Sequence, residues 1–168
     1  MDTDMATLPR PIPRPDIEWR PLREGDLAYV AVLEAQIHMA PWTIGNFRDA
    51  LAAAYTAQVG ERESRIVAYG VLMQSPGEAQ ILNLSVVPDA RREGIGRELL
   101  RRFVDEARHL HDGQVFLEVR RSNTVAIRLY ESEGFVLVAR RADYYPGITT
   151  EAPREDALVM RRPLDVWR

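Results

Sequence analysis

A turn bearing two glycines carries the clearest chemical signal in this sequence. It follows an apolar stretch that ends at Val87 and precedes a helix predicted to run from Gly96 through Arg108. A helix start exposes unpaired backbone N–H groups, and the helix dipole adds partial positive charge there. Glycines remove the side chains that would keep a phosphate away from those donors. We therefore predict a pyrophosphate site made by Arg91, Arg92, Glu93, Gly94, Ile95, Gly96 and Arg97.

Common nucleotide-binding motifs do not explain this turn. The dinucleotide fingerprint needs a third glycine where this chain has Glu98, Leu99 and Leu100. A Walker turn needs Gly-Lys followed by Ser or Thr, and the sequence lacks that run. Both nucleotide interpretations are therefore disfavoured, while a plain structural turn stays open.

One side chain further along the sequence could accept a proton from a ligand at such a site. Glu118 lies near the end of a predicted strand, between apolar neighbours, where partial desolvation would raise its pKa toward useful basicity. Tyr130 lies on a predicted helix, one turn after Ala126 and Ile127. Each residue also has a structural interpretation: Glu118 could pair with an arginine, Tyr130 could be a core aromatic, and Asn123 could be a helix cap.

Composition narrows the class of protein. The 168 residues fit one domain, and a net charge of −3 argues against general nucleic-acid binding, which needs a basic face. The sequence has no cysteine, which excludes disulfides and a cysteine acyl-enzyme, and its three histidines lack metal-ligand spacing. We expect no metal. Because no apolar run approaches the length of a membrane span and no signal peptide is evident, we expect a cytoplasmic protein without membrane contact.

Hydrophobic periodicity predicts the elements that must position these residues. The predicted strands cover 17–20, 55–59, 65–74, 79–87, 114–120, 135–141 and 157–161, with the second and third joined at Gly60. The predicted helices cover 24–38, 43–55, 96–108 and 123–133. An antiparallel meander followed by two strand-helix-strand units predicts a mixed sheet with helices on both faces. Its ligand should lie at the carboxyl ends of the central strands.

The domain boundaries follow from composition. Prolines alternate with other residues over 8–15, a pattern that favours an extended conformation without a core. We predict a disordered leader over residues 1–16, one domain over 17–163 and a short tail over 164–168.

The sequence also resembles a known superfamily. The pattern Arg91-x-x-Gly94-x-Gly96, soon after Val87-Pro88, resembles the acetyl-CoA pyrophosphate loop of the GNAT N-acetyltransferases. The second half of that domain is matched by Phe116-Leu117-Glu118-Val119-Arg120, Ser122-Asn123, Leu129-Tyr130-Glu131 and Gly134-Phe135. The match narrows to the ribosomal-protein-alanine N-acetyltransferase family through Pro41-Trp42, Arg141, Tyr144-Tyr145 and Glu155-Asp156-Ala157. It extends from about Ile17 to Arg162.

The resemblance implies a fold and a reaction. The fold is α/β (α+β), a single-domain GNAT fold with a mixed, mostly antiparallel sheet of about seven strands and about four helices. The co-substrate is acetyl-CoA, with no metal. The acceptor is the N-terminal alanine of a basic small-subunit ribosomal protein, bacterial protein eighteen. Without a cysteine, direct transfer in a ternary complex is the simplest route.

The resemblance also implies roles for individual residues. Glu118 is the proton acceptor, Tyr130 is the acid that protonates the CoA sulfur, and Asn123 hydrogen-bonds CoA. The backbone of the segment Leu84, Ser85 and Val86 pairs with the pantetheine arm as if with an added strand, and an N–H near Val86 is the natural oxyanion donor. The candidates for binding the peptide are Glu34, His38, Trp42, Tyr144 and Tyr145, with a solvated helix face or loop packing as the open alternatives.

Other functions stay open for this sequence. An α-amino group has a pKa near 8, against about 10.4 for lysine, so a modest base favours an N-terminal amine. The same catalyst could instead act on a small-molecule amine. A non-catalytic acetyl-CoA-binding module on this fold would need neither Glu118 nor Tyr130.

Overall fold

The computed structural model describes residues 16–110 and 113–165. The predicted leader lies outside these residues except for Asp16, whose carboxylate forms an ion pair with Arg62 at 2.8 Å. The predicted tail is described only at residues 164 and 165. There Leu164 is buried, and its N–H donates to the carbonyl of Gly113 at 2.9 Å.

In the described part of the chain, seven strands form a single sheet. They are β1 (Glu18–Pro21), β2 (Thr56–Arg62), β3 (Arg65–Ser75), β4 (Glu78–Val86), β5 (Gln114–Arg120), β6 (Val136–Tyr145) and β7 (Glu155–Pro163). Their order across the sheet is β1-β2-β3-β4-β5-β7-β6, and β4 with β5 is the parallel pair among antiparallel neighbours. The predicted mixed, mostly antiparallel sheet is confirmed.

Four α-helices connect these strands within the described ranges. They are α1 (Leu27–Ile37), α2 (Ile44–Ala52), α3 (Ile95–His109) and α4 (Thr124–Ser132). Capping side chains begin two of them: Thr43 accepts from the Asn46 N–H and Asn123 accepts from the Ala126 N–H, each at 3.2 Å. Helix α3 makes the crossover between the parallel strands β4 and β5.

Two adjacent residues of β3 show that helices cover both faces of the sheet. The Tyr69 hydroxyl donates to Glu34 of α1 at 2.6 Å. The next residue, Gly70, lies against the ring of Phe103 on α3. Because successive strand residues point to opposite faces, α1 and α3 pack on opposite sides, as the sequence predicts.

The predicted turn at Gly60 is wrong. Strand β2 continues through Gly60 to Arg62, and the chain reverses at Glu63 and Ser64, whose φ angles are 51° and 62°. Gly60 instead lies beneath Trp19 of β1, where an added Cβ would approach Cζ3 of the indole to 2.8 Å. This glycine therefore serves the close approach of an aromatic ring from a neighbouring strand, which local turn statistics do not capture.

A bulge in β4 redirects its side chains. Val71 pairs with Asn83 but Leu72 pairs with Ile81, so Leu82 is an extra residue on β4. Before the bulge, Ile81 packs in the core formed with α3. After it, Asn83 donates to Glu34 on α1. The bulge thus brings polar side chains of β4 to the α1 face.

We predict that Gly70→Ala destabilises the protein. Its Cβ would lie 2.7 Å from both the Asn83 carbonyl oxygen and Cε2 of Phe103, so backbone or core must shift. Overpacking of this kind costs about 1–3 kcal/mol in the free energy of unfolding, measured by urea denaturation. Gly25→Ala is the matched control, because nothing lies within 4 Å of its added Cβ. Equal unfolding midpoints for the two variants would contradict this packing.

Candidate active site

The sheet opens between β4 and β5. The two strands pair only at Ala79 with Val115, Gln80 with Phe116 and Ile81 with Leu117. Beyond these positions lies a cleft of about 210 Å³. Its lining includes Glu34, His38, Trp42, Asn83, Leu84, Glu118, Arg120, Asn123, Tyr130 and Tyr145. The opening is at the carboxyl ends of the central strands, where the sequence places the ligand.

The open edge of β4 presents main-chain groups to this cleft. The Val87 N–H donates to the Val67 carbonyl at 2.9 Å, so that residue's polar groups point toward β3. Backbone direction alternates along an antiparallel strand, so those of Leu84 and Val86 point toward the gap. The side chain of Arg91 reaches the Val86 carbonyl at 3.1 Å from that side. Ser85 directs its backbone to β3, and its buried hydroxyl contacts Nε2 of His38 and donates to Oδ1 of Asn83.

The glycine turn has the backbone geometry of an anion cradle. Gly94 is the N-cap of α3 and has a φ of +83°, in the left-handed region that favours glycine. A Cβ added there would meet nothing within 4 Å, so the space above it is open. Gly96 lies close to Val86, with its ideal Cβ 3.4 Å from Cγ2 of the valine. The first N–H groups of α3 therefore face outward beside the open edge of β4.

The side chains of the turn have different surroundings. Glu93 accepts from Arg62 at 3.1 Å, and Arg97 donates to the Ser132 hydroxyl at 2.8 Å and to Glu133. Arg91 and Arg92 are exposed. Glu93 and Arg97 are thus held by protein partners, and what they offer a ligand is their backbone.

Glu133 ties the start of α3 to the end of α4. Its carboxylate is 7% exposed and accepts from Arg101 at 2.7 and 2.8 Å, as well as from Arg97. Burial raises the pKa of Glu133, but the hydrogen bonds from Arg101 and Arg97 outweigh it and hold the pKa below its usual range. Tyr130 lies on α4, three residues before Glu133, which is the C-cap of that helix. The contact between Glu133 and the arginines of α3 therefore fixes the position of α4 relative to the glycine turn.

Glu118 lines the cleft and is paired with an arginine. Its Oε1 accepts from Arg141 at 2.7 Å, and the Arg141 side chain is 52% exposed. The Arg141 guanidinium also lies over the ring of Tyr144, 4.7 Å from its centroid. The arginine-pairing interpretation from sequence is therefore realised. Glu118 nevertheless lines the cleft. Because the Arg141 side chain is half exposed, an incoming cation can displace it from Glu118.

Tyr130 belongs both to the core and to the lining of the cleft. Its ring is buried and lies 6.0 Å from Phe135, as a core aromatic does, yet it also lines the cleft. Burial, with a smaller effect of Tyr145, raises the pKa of Tyr130 to about 12. The phenol is protonated at neutral pH and can act as a proton donor. Asn123 is likewise both the cap of α4 and a residue of the cleft.

Glu34 lies in the core instead of on a solvated helix face. It is 2% exposed and accepts from the Tyr69 hydroxyl at 2.6 Å and from the Asn83 amide and Trp42 N–H at 3.1 Å. Burial and the hydrogen bond to Glu34 raise the pKa of Tyr69 well above its ordinary value. The carboxylate thus holds β3, β4 and the loop after α1 together.

The two tyrosines that end β6 form one side of the cleft mouth. Tyr145 lines the cleft, with the Arg120 guanidinium 4.4 Å from its ring centroid. Burial, followed by the charge of Glu118, raises the pKa of Tyr145 to about 12. Tyr144 is 42% exposed and packs edge-on against Tyr145 at 5.1 Å. Trp42 lines the cleft from the loop after α1.

Sequence reasoning missed several residues of this site. Arg120 and Asn83 line the cleft, and Tyr69 donates a hydrogen bond to Glu34, which also lines it. Asn83 carried a usable signal, because it interrupts an apolar strand and a buried amide needs partners. Tyr69 and Arg120 carried none, since their role depends on which strands become neighbours.

Two further observations concern the described residues, 16–110 and 113–165. Among them, no group of three or more histidine, aspartate or glutamate side chains is placed to hold a metal ion. Within the same ranges, each helix is too short or too polar to cross a membrane.

A sheet that opens beside a glycine turn at a helix start defines the class of GNAT-type acetyltransferases. The chain belongs to the acetyltransferase (GNAT) family, whose model matches residues 17–135. It is 34% identical over 145 residues to the [ribosomal protein bS18]-alanine N-acetyltransferase of Escherichia coli K12, covering 86% of this chain and 96% of that protein. It is 36% identical over 148 residues to the N-alpha-acetyltransferase RimI of Mycobacterium tuberculosis, covering 84% and 89%.

A solved structure shows the same similarity at the level of the fold. The crystal structure of the ribosomal-protein-S18-alanine N-acetyltransferase from Escherichia coli superposes with a TM-score of 0.83 at 33% identity, covering 90% of this chain and 96% of that one. The predicted fold, the acyltransferase class and the family resemblance are confirmed. The chain is an acetyltransferase.

We predict that Glu133→Gln lowers the free energy of unfolding at pH 7 by about 1–2 kcal/mol, because it removes charge-assisted hydrogen bonds from partly exposed arginines. The folded pKa of Glu133 is depressed. Its contribution is therefore complete above the unfolded value of about 4.3 and is lost as pH falls through the folded value. The difference in the free energy of unfolding between Glu133→Gln and wild type should therefore shrink at low pH, as measured by chemical denaturation at pH 7 and at lower pH. Exposed Glu131→Gln on the same helix is the control, and a pH-independent difference between Glu133→Gln and wild type would contradict the assignment.

Proposed function

We propose that this protein transfers an acetyl group from acetyl-CoA to the N-terminal alanine of the small-subunit ribosomal protein bS18, in a ternary complex. The observation that carries the proposal is the gap between β4 and β5, with the glycine turn at one end and Glu118 and Tyr130 beside it. The name of the Escherichia coli relative supplies the acceptor, and the name of the Mycobacterium tuberculosis relative agrees with an α-amine. With a ribosomal protein as acceptor, we propose that the reaction occurs in the cytoplasm.

The described residues fit acetyl-CoA. Its pyrophosphate suits the outward N–H groups at the start of α3, above the open space at Gly94. Its amide-bearing arm suits the edge of β4, where Leu84 and Val86 can pair with it as with an added strand. The side chain of Asn123 stands at the other wall of the cleft. When bound, the co-substrate supplies a thioester whose acetyl carbon accepts an amine.

The residues of the cleft match the proton movements that this transfer requires. The α-amino group is partly protonated at neutral pH and must lose protons on becoming an amide, and Glu118 can accept one of them. The Val86 N–H can donate to the thioester oxygen as negative charge develops on it. As the C–N bond forms and the C–S bond breaks, Tyr130 can give its proton to the sulfur. This direct route needs no covalent intermediate with the protein.

The cleft mouth is suited to a charged N-terminus. Arg141 neutralises Glu118 in the described structure, and a substrate ammonium can replace that half-exposed guanidinium. Trp42 and Tyr145 are flat walls for the first residues of an extended peptide, and Tyr144 continues that wall outside the cleft.

We expect the protein to acetylate a peptide that reproduces the bS18 N-terminus. Incubation with acetyl-CoA should add one acetyl group at the α-amine, located by fragmentation mass spectrometry. The same peptide with a blocked N-terminus and a free lysine is the control, and it should stay unmodified because a lysine amine is more fully protonated. A peptide left unmodified while a polyamine gains an acetyl group would overturn the proposed acceptor.

We predict that Tyr130→Phe retains the fold and loses turnover. The phenyl ring fills the same buried volume, but the proton for the leaving sulfur is gone, so kcat should fall by about 100-fold or more. The KM for acetyl-CoA should change little. Tyr55→Phe is the matched control, since Tyr55 packs against the core on the α1 side, away from the cleft. Wild-type turnover in Tyr130→Phe would remove Tyr130 from this role.

A further inference from the structure

We propose that His38 is a second proton acceptor of the acetyl transfer, held as the Nε2–H tautomer by the hydroxyl of Ser85. This inference rests on the proposed function and concerns the same cleft. His38 ends α1 and lines the cleft, and its side chain is 39% exposed. Its Nε2 lies 2.7 Å from Oγ of Ser85. Ser85 in turn lies between Leu84 and Val86, whose backbone groups face the gap.

A directional chain of hydrogen bonds assigns the tautomer. The Glu34 carboxylate can only accept, so the Asn83 amide directs Nδ2 toward it, at 3.1 Å. The Asn83 Oδ1 then faces the Ser85 hydroxyl, which donates its single proton to it at 2.8 Å. Ser85 Oγ therefore accepts from His38, and Nε2 carries the hydrogen. In a neutral imidazole this leaves the lone pair on Nδ1.

The surroundings keep the imidazole neutral and ready to accept a proton. Burial lowers the pKa of His38, and Arg91 and Arg120 lower it further against the opposing charge of Glu34. His38 is accordingly uncharged at neutral pH. Once Nδ1 gains a proton, the imidazolium lies beside the Glu34 carboxylate, with Nε2 3.5 Å from Oε2. The buried carboxylate thus stabilises the charge that proton transfer creates.

The stoichiometry of the reaction leaves two protons to be taken from the substrate nitrogen. An ammonium nitrogen loses two protons on becoming an amide, while the sulfur gains one. In the first loss, an N–H bond breaks, the proton passes to His38 Nδ1 and the electron pair stays on nitrogen to form the C–N bond. In the second, Glu118 takes one of the two protons left on nitrogen as the C–S bond breaks and Tyr130 protonates the sulfur, and the other stays as the amide hydrogen. The proton on His38 then passes to water, and the one on Glu118 restores Tyr130.

The test compares His38→Gln with His109→Gln on the bS18-type peptide. The glutamine amide can still donate to Ser85, so the hydrogen-bond chain is kept while the proton acceptor is lost. We expect kcat to fall by about 100-fold, with the KM for acetyl-CoA and the melting temperature unchanged. His109 ends α3 outside the cleft, and its variant should turn over like wild type.

A pH profile and chemical rescue separate proton transfer from a structural role. The wild-type kcat/KM should fall in acid as His38 becomes protonated, at pH values below the ordinary imidazole pKa because the pKa of His38 is lowered, and His38→Gln should lack that limb. The charged and titratable groups around the imidazole are Glu34, Tyr69, Arg91, Glu118, Arg120, Tyr130 and Tyr145. Added imidazole should restore turnover to His38→Ala.

Each outcome decides one of the two proposals. Wild-type kcat in His38→Gln overturns the role of His38 and leaves the acceptor assignment intact. A slow His38→Gln that keeps the acid limb, with no rescue of His38→Ala by imidazole, also overturns it. If the wild-type protein acetylates a small amine in place of the peptide, the proposed acceptor is overturned, and the variants are then compared on that amine.

Discussion

The separation of β4 from β5 is the constraint on which the rest of this structure depends. Two parallel strands that pair at three positions and then diverge leave backbone donors and acceptors in the middle of a sheet without a neighbouring strand. Such groups need a partner, and an extended ligand bearing amides can supply one. The bulge at Leu82 acts at the same place, because it alters the direction of β4 where the strands part. The path of the backbone therefore creates the cleft, and side chains only line it.

Buried charge holds the walls of this opening in place. Glu34 is removed from water but accepts from Tyr69, Asn83 and the Trp42 N–H, so its burial is compensated. On the other side of the sheet, Glu133 joins the first turns of α3 to the end of α4. A carboxylate with several fixed donors tolerates little displacement. The sheet is not continuous at the cleft, and these two contacts therefore fix the width of the cleft.

Local pattern predicted much of the fold because the relevant signals lie within one element. The strand 114–120 and the helix that follows Gly94 matched their predictions, and Asn123 caps α4 as its residue type suggests. The prediction of a turn at Gly60 was wrong because this glycine makes room for the ring of Trp19, which lies on a different strand. The resemblance supplied Glu118 and Tyr130 as catalytic candidates. Their roles remain proposals that the geometry of the cleft supports.

The sequence by itself determined the order of elements and the glycine turn, since each depends on residues adjacent along the chain, and its motifs taken in order identified the family. Tertiary structure decided what each polar side chain faces. It buried Glu34 beneath His38 and Ser85, paired Glu118 with Arg141 and placed Arg97 on Glu133. The physical reason is that a hydrogen bond or ion pair forms between groups that are close in space. Which groups become close depends on strand order, on one bulge and on the angle at which helices cross the sheet.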